Sequence, residues 1–276
     1  MKILLTGGSG LVGRTLAPLM RGKHKIVHLE TRAPGDGLPF IQGDLRDAKA
    51  VEEACHGVDT VIHIAALHGK AWMEAGDEAG FDVNVTGTKN ILEAAIKQRV
   101  KRVVFTSSIW AAGHLPKKAD YLPIDEKLDR EPLEMYGLTK KLGEQMCRYY
   151  SVQYGLSTIC LRPGGIQPAD DSDTIRWGLL FQAVDVRDVA QAHALAAESG
   201  EGIQHEVFNI TADSPLADID PRIYQQDCIA TLEKLYPGIS RFMNDQQKES
   251  LPGQEWYTIN KAKQMLGYKP QYNFKI

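Results

Sequence analysis

The sequence predicts a doubly wound α/β fold, a parallel sheet with helices on both faces, joined to a smaller C-terminal lobe. Three observations predict it. The chain opens MKILLTGGSGLVG, an apolar run long enough for one buried strand that passes at once into a glycine-dense turn and a helical pattern. Strand-length apolar runs and helix-period segments then alternate as far as Leu161, which implies parallel strands joined by helical crossovers. Beyond Leu161 turn residues take over and set off the lobe.

The elements follow in order. Ile3-Leu4-Leu5 is the first strand, and Leu11-Val12-Gly13 leads into a helix over Arg14 to Met20. Lys25 to Leu29 is the second strand, with Glu30 at its end, and Phe40-Ile41-Gln42 the third. Ala48 to Cys55 is helical, and Val58 to Ala65 is a fourth strand ending at the small pair Ala65-Ala66. Asn84 to Gln98 carries Val85, Ile91, Leu92, Ala95 and Ile96 at helical spacing. Arg102 to Thr106 is the fifth strand, Tyr136 to Tyr154 a long helix and Thr158 to Leu161 the sixth strand. Pro163-Gly164-Gly165, Pro168 and Asp170-Asp171-Ser172-Asp173 read as loop. Asp185 to Glu198 returns to helix with Asp185 or Asp188 as N-cap. Glu206 to Ile210 is a further strand, and short helices are expected near Asp227 to Leu235 and Asn260 to Leu266.

Composition bounds the function. At 276 residues the chain can bury a full core, and its 43% hydrophobic and 24% charged content is that of a soluble globular protein. A net charge of -3 gives no bias toward polyanions, so no nucleic-acid partner is expected. Cys55, Cys147, Cys160 and Cys228 are scattered and read as small buried hydrophobes in a reducing compartment. Strand residues begin at position 3, which leaves no room for a signal peptide, and no apolar run approaches a membrane span. A cytoplasmic protein without a membrane partner is expected.

The opening turn carries the first chemistry. Strand, glycine turn and helix together present free backbone N–H groups to an anion at a helix N-terminus. Gly7, Gly10 and Gly13 are spaced G-x-x-G-x-x-G. One glycine suits a tight turn, one lets backbone approach a pyrophosphate, and one lets the helix press on the strand. Glu30, 17 residues beyond Gly13, stands where an acidic side chain takes the adenosine ribose hydroxyls, so NAD rather than NADP is expected. Arg32 is the complication, because an arginine there can bind a 2′-phosphate. The domains expected are an NAD-binding domain over 1–162 and a substrate-binding lobe over 163–276, with 185–212 returning to the sheet.

The second chemistry sits on the long helix. Tyr136 and Lys140 in YGLTK leave one helix face. A phenol is a poor base at neutral pH. A lysine ammonium beside it, and the positive nicotinamide ring of an oxidised cofactor, favour the phenolate. Bringing the phenol from about 10 to about pH 7 requires roughly 3 units, about 4 kcal/mol of differential stabilisation. Thr106-Ser107-Ser108 ends the fifth strand, and reacting groups in open parallel sheets gather at strand carboxyl ends.

With these motifs the chain resembles the extended short-chain dehydrogenase/reductase superfamily, in particular its NAD-dependent epimerase/dehydratase group, and so a Rossmann-like sheet. The resemblance runs through TGGSGLVG, GDL at Gly43 to Leu45, HIAAL at His63 to Leu67, NVTGT at Asn84 to Thr88 and TSS at Thr106 to Ser108. It continues through YGLTK, LRPG at Leu161 to Gly164, DVRDVAQAH at Asp185 to His193, FNI at Phe208 to Ile210 and LGYKP at Leu266 to Pro270. It implies Ser108, Tyr136 and Lys140 as the catalytic set. Ser108 is preferred to Ser107 because it lies five residues before Gly113. For the cofactor it implies Gly7, Ser9, Gly10, Leu11, Val12 and Gly13 in the turn, and Glu30 on the ribose. Asp44 and Leu45 fall on adenine, and Ala65 and Ala66 along the pyrophosphate and ribose channel. Asn84, Tyr136 and Lys140 also contact the cofactor, and Pro163 meets its carboxamide end. A homodimer through the helices Asn84–Gln98 and Tyr136–Tyr154 is implied as well, with Tyr149, Tyr150 and Tyr154 as aromatic content.

The sequence departs from the family pattern in ways that bear on substrate. Only 21 residues separate Pro163 from Asp185, where sugar-nucleotide enzymes carry a longer insert with a basic grip on the diphosphate. That segment offers one arginine, Arg176, which shifts the expectation to a polyol, free sugar or sugar acid. Ala111-Ala112-Gly113 replaces the family's V-Y-G, and Ile109-Trp110 stands where a dehydratase has an acid pair. His63 and His68 lack a metal-ligand arrangement, so no metal is expected, and His114 and the remaining histidines read as polar surface or loop residues. Trp72, Trp110 and Trp177 are candidates to stack on a sugar ring or to pack. The reading is an NAD-dependent epimerase or oxidoreductase acting at a secondary alcohol of a sugar or sugar-derived substrate. A sugar or sugar-acid dehydrogenase of the uronate type and a non-catalytic NAD(P) sensor are the alternatives.

Overall fold

The computed structural model describes residues 1–115, 117–172 and 174–276; Asp173, in the acidic stretch expected to be loop, lies outside them. The strands are β1 (Lys2–Thr6), β2 (Lys25–Glu30), β3 (Phe40–Gln42), β4 (Thr60–His63), β5 (Arg102–Thr106), β6 (Ser157–Pro163), β7 (Gly165–Gln167), β8 (Ala183–Asp185) and β9 (His205–Ile210). The helices are α1 (Leu11–Met20), α2 (Ala48–Ala54), α3 (Gly69–Phe81), α4 (Gly87–Lys97), α5 (Met135–Tyr154), α6 (Val186–Glu198), α7 (Pro221–Gln226), α8 (Cys228–Leu235), α9 (Asp245–Ser250) and α10 (Asn260–Leu266). Seven strands pair in parallel in the order β3-β2-β1-β4-β5-β6-β9, and β7 pairs with β8 as a separate parallel ribbon. The order reverses between β1 and β4, the switch point at which such sheets bind ligands.

The central strands are apolar on both faces because helices cover both. Side chains alternate along a strand, so each run divides between two cores. Ile3, Leu5, Ile62 and Val104 meet Leu16 and Ala17 of α1 and Val189 and Ala190 of α6. Leu4, Val61 and Val103 meet Val51 of α2, Ile91 and Leu92 of α4 and Cys147 of α5. All four cysteines are buried and free. A third cluster, with Tyr224 edge-on to Trp256 at 4.9 Å, forms the core of the C-terminal helices. β9 pairs with β6 from Thr158↔His205 to Pro163↔Ile210, so the chain rejoins the main sheet after the β7–β8 ribbon.

Three features depart from the sequence-based expectation. α3 was not anticipated: its GKAWMEAGDEAGF carries three glycines and little apolar period, and Gly76 breaks it with φ 83° and ψ 171°. The helix expected from Asn84 begins as α4 only at Gly87, after a π-helical turn over Asp82–Thr86. The β7–β8 ribbon lies in the stretch expected to be loop. Asp185 is the N-cap of α6, accepting from the Arg187 N–H at 2.9 Å, and Asp188 instead accepts from the backbone N–H groups of Gln271 and Tyr272.

Candidate active site

The glycine turn is shaped by what cannot fit. Gly7 has φ +79°, and a Cβ there would stand 2.7 Å from the Ala65 nitrogen. A Cβ on Gly13 would overlap the Gly7 carbonyl oxygen and lie 2.5 Å from the Gly8 Cα. The Gly10 N–H closes the turn on the Gly7 carbonyl at 3.0 Å. α1 then starts at Leu11 with no side-chain cap on Gly10 and no acidic residue in its first turn. Its first N–H groups are therefore open to an anion and the helix dipole favours one. The Ser9 N–H (3.3 Å) and hydroxyl (3.0 Å) both donate to the Glu30 carboxylate, which ties the end of β2 to the turn. Arg32 is exposed. Asp44 pairs with Arg46 at 2.7 Å, and that guanidinium holds its carboxyl below the usual range. Leu45 is buried against Gly87. This set fits a dinucleotide: a cradle closed to side chains, a free helix N-terminus and an acceptor at the end of β2.

Beneath the cleft runs a hydrogen-bonded chain whose proton positions follow from its ends. The Thr88 hydroxyl donates to the Asn84 carbonyl (2.6 Å), so the His63 Nε2–H donates to Thr88 (3.0 Å). His63 Nδ1 then accepts from the Thr6 hydroxyl (2.8 Å), whose oxygen accepts from the Ala65 N–H (3.2 Å). The carboxyl ends of β1 and β4 are thereby fixed to each other. Burial drives His63 down to about 3, so it stays neutral. Asn84 is buried, its amide accepting from the Leu67 N–H (2.8 Å) and donating to the Leu67 carbonyl (3.0 Å) and Thr139 (3.2 Å). His114 and His193 were expected at surface or loop positions and are instead fully buried, as is His63 at the end of β4; each is held in hydrogen bonds that a polarity count does not register.

A cleft of about 880 Å³ opens beside the turn, lined by Val12, Ala66, Ser108, Tyr136, Lys140 and Pro163 among others. Sequence reasoning named all six. Ser108 caps a short 3-10 turn over Ile109–Ala112, accepting from the Trp110 N–H at 3.2 Å. Glu134 caps α5, accepting from the Gly137 N–H at 2.6 Å. A Cβ on Gly137 would stand 2.8 Å from the Trp110 carbonyl, so α5 starts hard against that turn and brings Tyr136 to Ser108. Burial pushes the Tyr136 phenol up to about 12, with the Ser108 hydroxyl working against the rise. Lys140, one turn on, is buried; its ammonium lies 5.8 Å from the centre of the Tyr136 ring and donates to the Thr106 carbonyl at 2.8 Å. Burial brings it down to about 8, with the Glu144 carboxylate opposing. The direction at Tyr136 is opposite to the lowering expected from Lys140. In the chain alone desolvation of the buried phenol sets the direction.

Side chains that sequence reasoning passed over hold this geometry. Ser107 donates to Glu144 at 2.5 Å, and Glu144 forms a two-pronged pair with Arg162 at 2.8 and 2.7 Å. His193 donates from Nδ1 to the Val189 carbonyl (2.8 Å), so its Nε2 accepts from the Thr106 hydroxyl (2.7 Å). Of the three tryptophans, Trp72 and Trp110 line the cleft and Trp177 packs on Phe274 at 5.4 Å. Arg176 donates to Asp185 (2.5 Å), Gln167 (2.9 Å) and the Pro168 carbonyl (3.1 Å). Among the described residues no three His, Cys, Asp or Glu side chains come together as a metal site, and no helix is long and apolar enough to cross a membrane.

Fold and cleft together define an enzyme of the short-chain dehydrogenase/reductase superfamily. The model of the NAD dependent epimerase/dehydratase family matches residues 3–166, and the chain belongs to that family, whose cofactor is NAD. It is 32% identical to a putative UDP-glucose 4-epimerase of Methanocaldococcus jannaschii, over 99% of this chain and 94% of that one. It is 29% identical to the L-arabinose 1-dehydrogenase (NAD(P)(+)) of Haloferax volcanii, over 78% of this chain and 86% of the other. It is 33% identical to a uronate dehydrogenase of Pseudomonas syringae pv. tomato, over 60% of each. The crystal structure of a superfamily member from Agrobacterium tumefaciens with bound NAD superposes with a TM-score of 0.74 at 23% identity, covering 99% of this chain and 93% of that one, and so shares its fold.

Proposed function

We propose that this enzyme is a dehydrogenase that oxidises a secondary alcohol of a small sugar or sugar-derived substrate. The observation that carries the reading is the convergence of Ser108, Tyr136 and Lys140 on one wall of the cleft beside the glycine turn. NAD, when bound, accepts hydride and brings a positive ring to the site. Tyr136 takes the hydroxyl proton of the substrate, and Ser108 hydrogen-bonds the same oxygen as charge develops on it. Lys140 sits below them and supplies a cation to the phenol and a donor to the cofactor's ribose. Gly7, Ser9, Gly10, Leu11, Val12 and Gly13 take the pyrophosphate and Glu30 the adenosine ribose, in this reading. Asp44 and Leu45 meet adenine, Ala65, Ala66 and Asn84 shape the channel, and Pro163 meets the carboxamide. The engagement of Arg176 with Asp185 favours a small substrate over a nucleotide-linked sugar, since it removes the basic grip that the 164–184 segment offered.

We further propose that residues 1–162 bind the dinucleotide and 163–276 close the substrate side, with 185–212 serving the main sheet. Four free cysteines support a reducing, cytoplasmic location. A homodimer is supported by Tyr149, Val152 and Tyr154, which leave 54%, 70% and 55% of their surface exposed along α5. Light scattering that gives 30.6 kDa at micromolar concentration rejects the dimer. Absorbance of reduced cofactor across a panel of sugars and sugar acids tests the reaction. Net reduction is expected; sugar turnover without it identifies an epimerase.

A further inference from the structure

We propose that the substrate is an uncharged ring alcohol held by aromatic and apolar side chains, and that a carboxylate or phosphate on the ring is selected against. This rests on the reading above of the cleft as the site of alcohol oxidation. It concerns the half of the cleft that faces away from the glycine turn. Two indoles line that half. Trp72, on α3, stands edge-on to the Tyr136 ring at 6.0 Å, and Trp110, just after Ser108, is half-buried. Leu133 and Met135 continue the wall, and Met73 lies at its mouth; Leu133 is 55% and Met73 77% exposed. Apolar surface left open around a concave site marks where the apolar face of a ligand settles. A sugar ring has such a face in its C–H groups, and an indole covers it while the hydroxyls stay free to hydrogen-bond.

Charge carries the rest. The acidic and basic residues lining the cleft are Asp77, Glu134 and Lys140, beside a His68 that burial keeps neutral. Lys140 is buried with its ammonium on the Thr106 carbonyl. Among side chains, an arginine fork or a free lysine is the strongest partner for a carboxylate or phosphate. The fork of Arg176 is filled by Asp185, Gln167 and Pro168. Arg162 spends Nε and Nη2 on Glu144, its Nη1 is buried without a partner among the described residues, and it does not line the cleft. Elsewhere on α3, Lys70 stands 3.6 Å from Glu74, and Glu78 adds a further negative charge to the same helix. A carboxylate entering this space meets Asp77 and Glu134 and no free cation among the described lining residues.

Calorimetric titration of the NAD-saturated protein compares rings that differ only at C6, a hydroxymethyl group against a carboxylate: glucose against glucuronate and galactose against galacturonate. At least one neutral ring is expected to bind, and at least 30-fold more tightly than its uronate. Trp72→Ala should weaken it about tenfold. Leu133→Arg, at an exposed position, should raise uronate affinity about tenfold. A uronate that binds as tightly as its neutral counterpart overturns the proposal, as does the absence of binding by either neutral ring. A Leu133→Arg protein with unchanged uronate affinity also counts against it. A neutral ring that binds in this pattern but is never oxidised would leave the proposal standing and overturn the dehydrogenase reading instead.

Discussion

The two ends of the cleft are built from different materials. At the nucleotide end the backbone itself forms the surface: Gly7 and Gly13 leave no room for a Cβ, and the Ala65 nitrogen packs against the turn. At the substrate end side chains form the surface, on a kinked α3 and on the 133–135 segment before and into α5, and several face water. The difference is one of tolerance. A surface made of backbone admits almost no substitution, whereas one made of exposed side chains can be rewritten without disturbing the fold. An enzyme family can therefore keep its cofactor and change its substrate.

Acid should loosen the buried strand ends beneath the cleft, with the largest effect on stability. His63 clamps β1 to β4 and His193 holds Thr106, and burial drives them to about 3 and about 4. Both resist protonation in the folded chain, while the unfolded chain takes up protons below about 6.5. The unfolded state then binds more protons, so stability is full above that value and falls as pH drops toward 4. At about 1.36 kcal/mol per unit each histidine contributes on the order of 3 kcal/mol by pH 4. Urea titrations from pH 7 to 4, with hydrogen exchange at β1 and β4, check it. A flat stability profile across that range would mean that these rings gain protons without strain.

Tyr136→Phe removes one oxygen at the junction of the two ends. Turnover should fall by about 10²–10⁴ through loss of the proton acceptor, with NAD affinity kept within about twofold. Single-turnover kinetics and a cofactor titration separate the two. Near-normal turnover would assign proton transfer to another group.

Gly13→Val against Met73→Val tests the comparison directly. At Gly13 the added side chain must displace the Gly7 carbonyl, and overpacking of this kind costs about 1–3 kcal/mol. NAD affinity should drop with it by about 100-fold. Met73 is 77% exposed, and its replacement should leave melting temperature and NAD affinity unchanged. Equal effects of the two substitutions on NAD binding would erase the distinction between the ends.

The same contrast explains what could be read in the sequence. Six strands of the main sheet up to Leu161, the glycine turn and the YGLTK helix were legible because each is forced: buried strands must be apolar, and a backbone surface must be glycine. α3 and the β7–β8 ribbon were not, since one is exposed and glycine-broken and the other has three residues per strand. Nor was the buried polar scaffold. His193 and Glu144 show no sequence sign of burial, because what stabilises them is the partner each meets from another element. Nor was the burial of Tyr136 and Lys140 legible: sequence reveals a neighbouring lysine but not that both groups are dry.

Glu30 is where the nucleotide end, too, selects through a side chain, and it gives the smallest expected effect. Its carboxylate is aligned by the Ser9 N–H at 3.3 Å and the Ser9 hydroxyl at 3.0 Å. Those two donors hold one edge of the carboxylate and leave lone pairs for both hydroxyls of an adenosine ribose. A 2′-phosphate in the same place brings like charge to about 4 Å, which at an effective dielectric of about 20 costs roughly 4 kcal/mol. Rotation of Glu30 toward water relieves that repulsion but gives up both Ser9 contacts, so the turn resists it. Arg32 is exposed and can reward the phosphate only after Glu30 has moved. Glu30→Ala should therefore weaken NAD about tenfold, roughly 1.4 kcal/mol, while NADP binding improves. Arg32→Ala should change neither by more than about twofold in the wild-type background. Titration of both cofactors against the three proteins decides it. NADP bound by wild type as tightly as NAD, and lost on Arg32→Ala, would mean that the exposed arginine governs this end of the cleft.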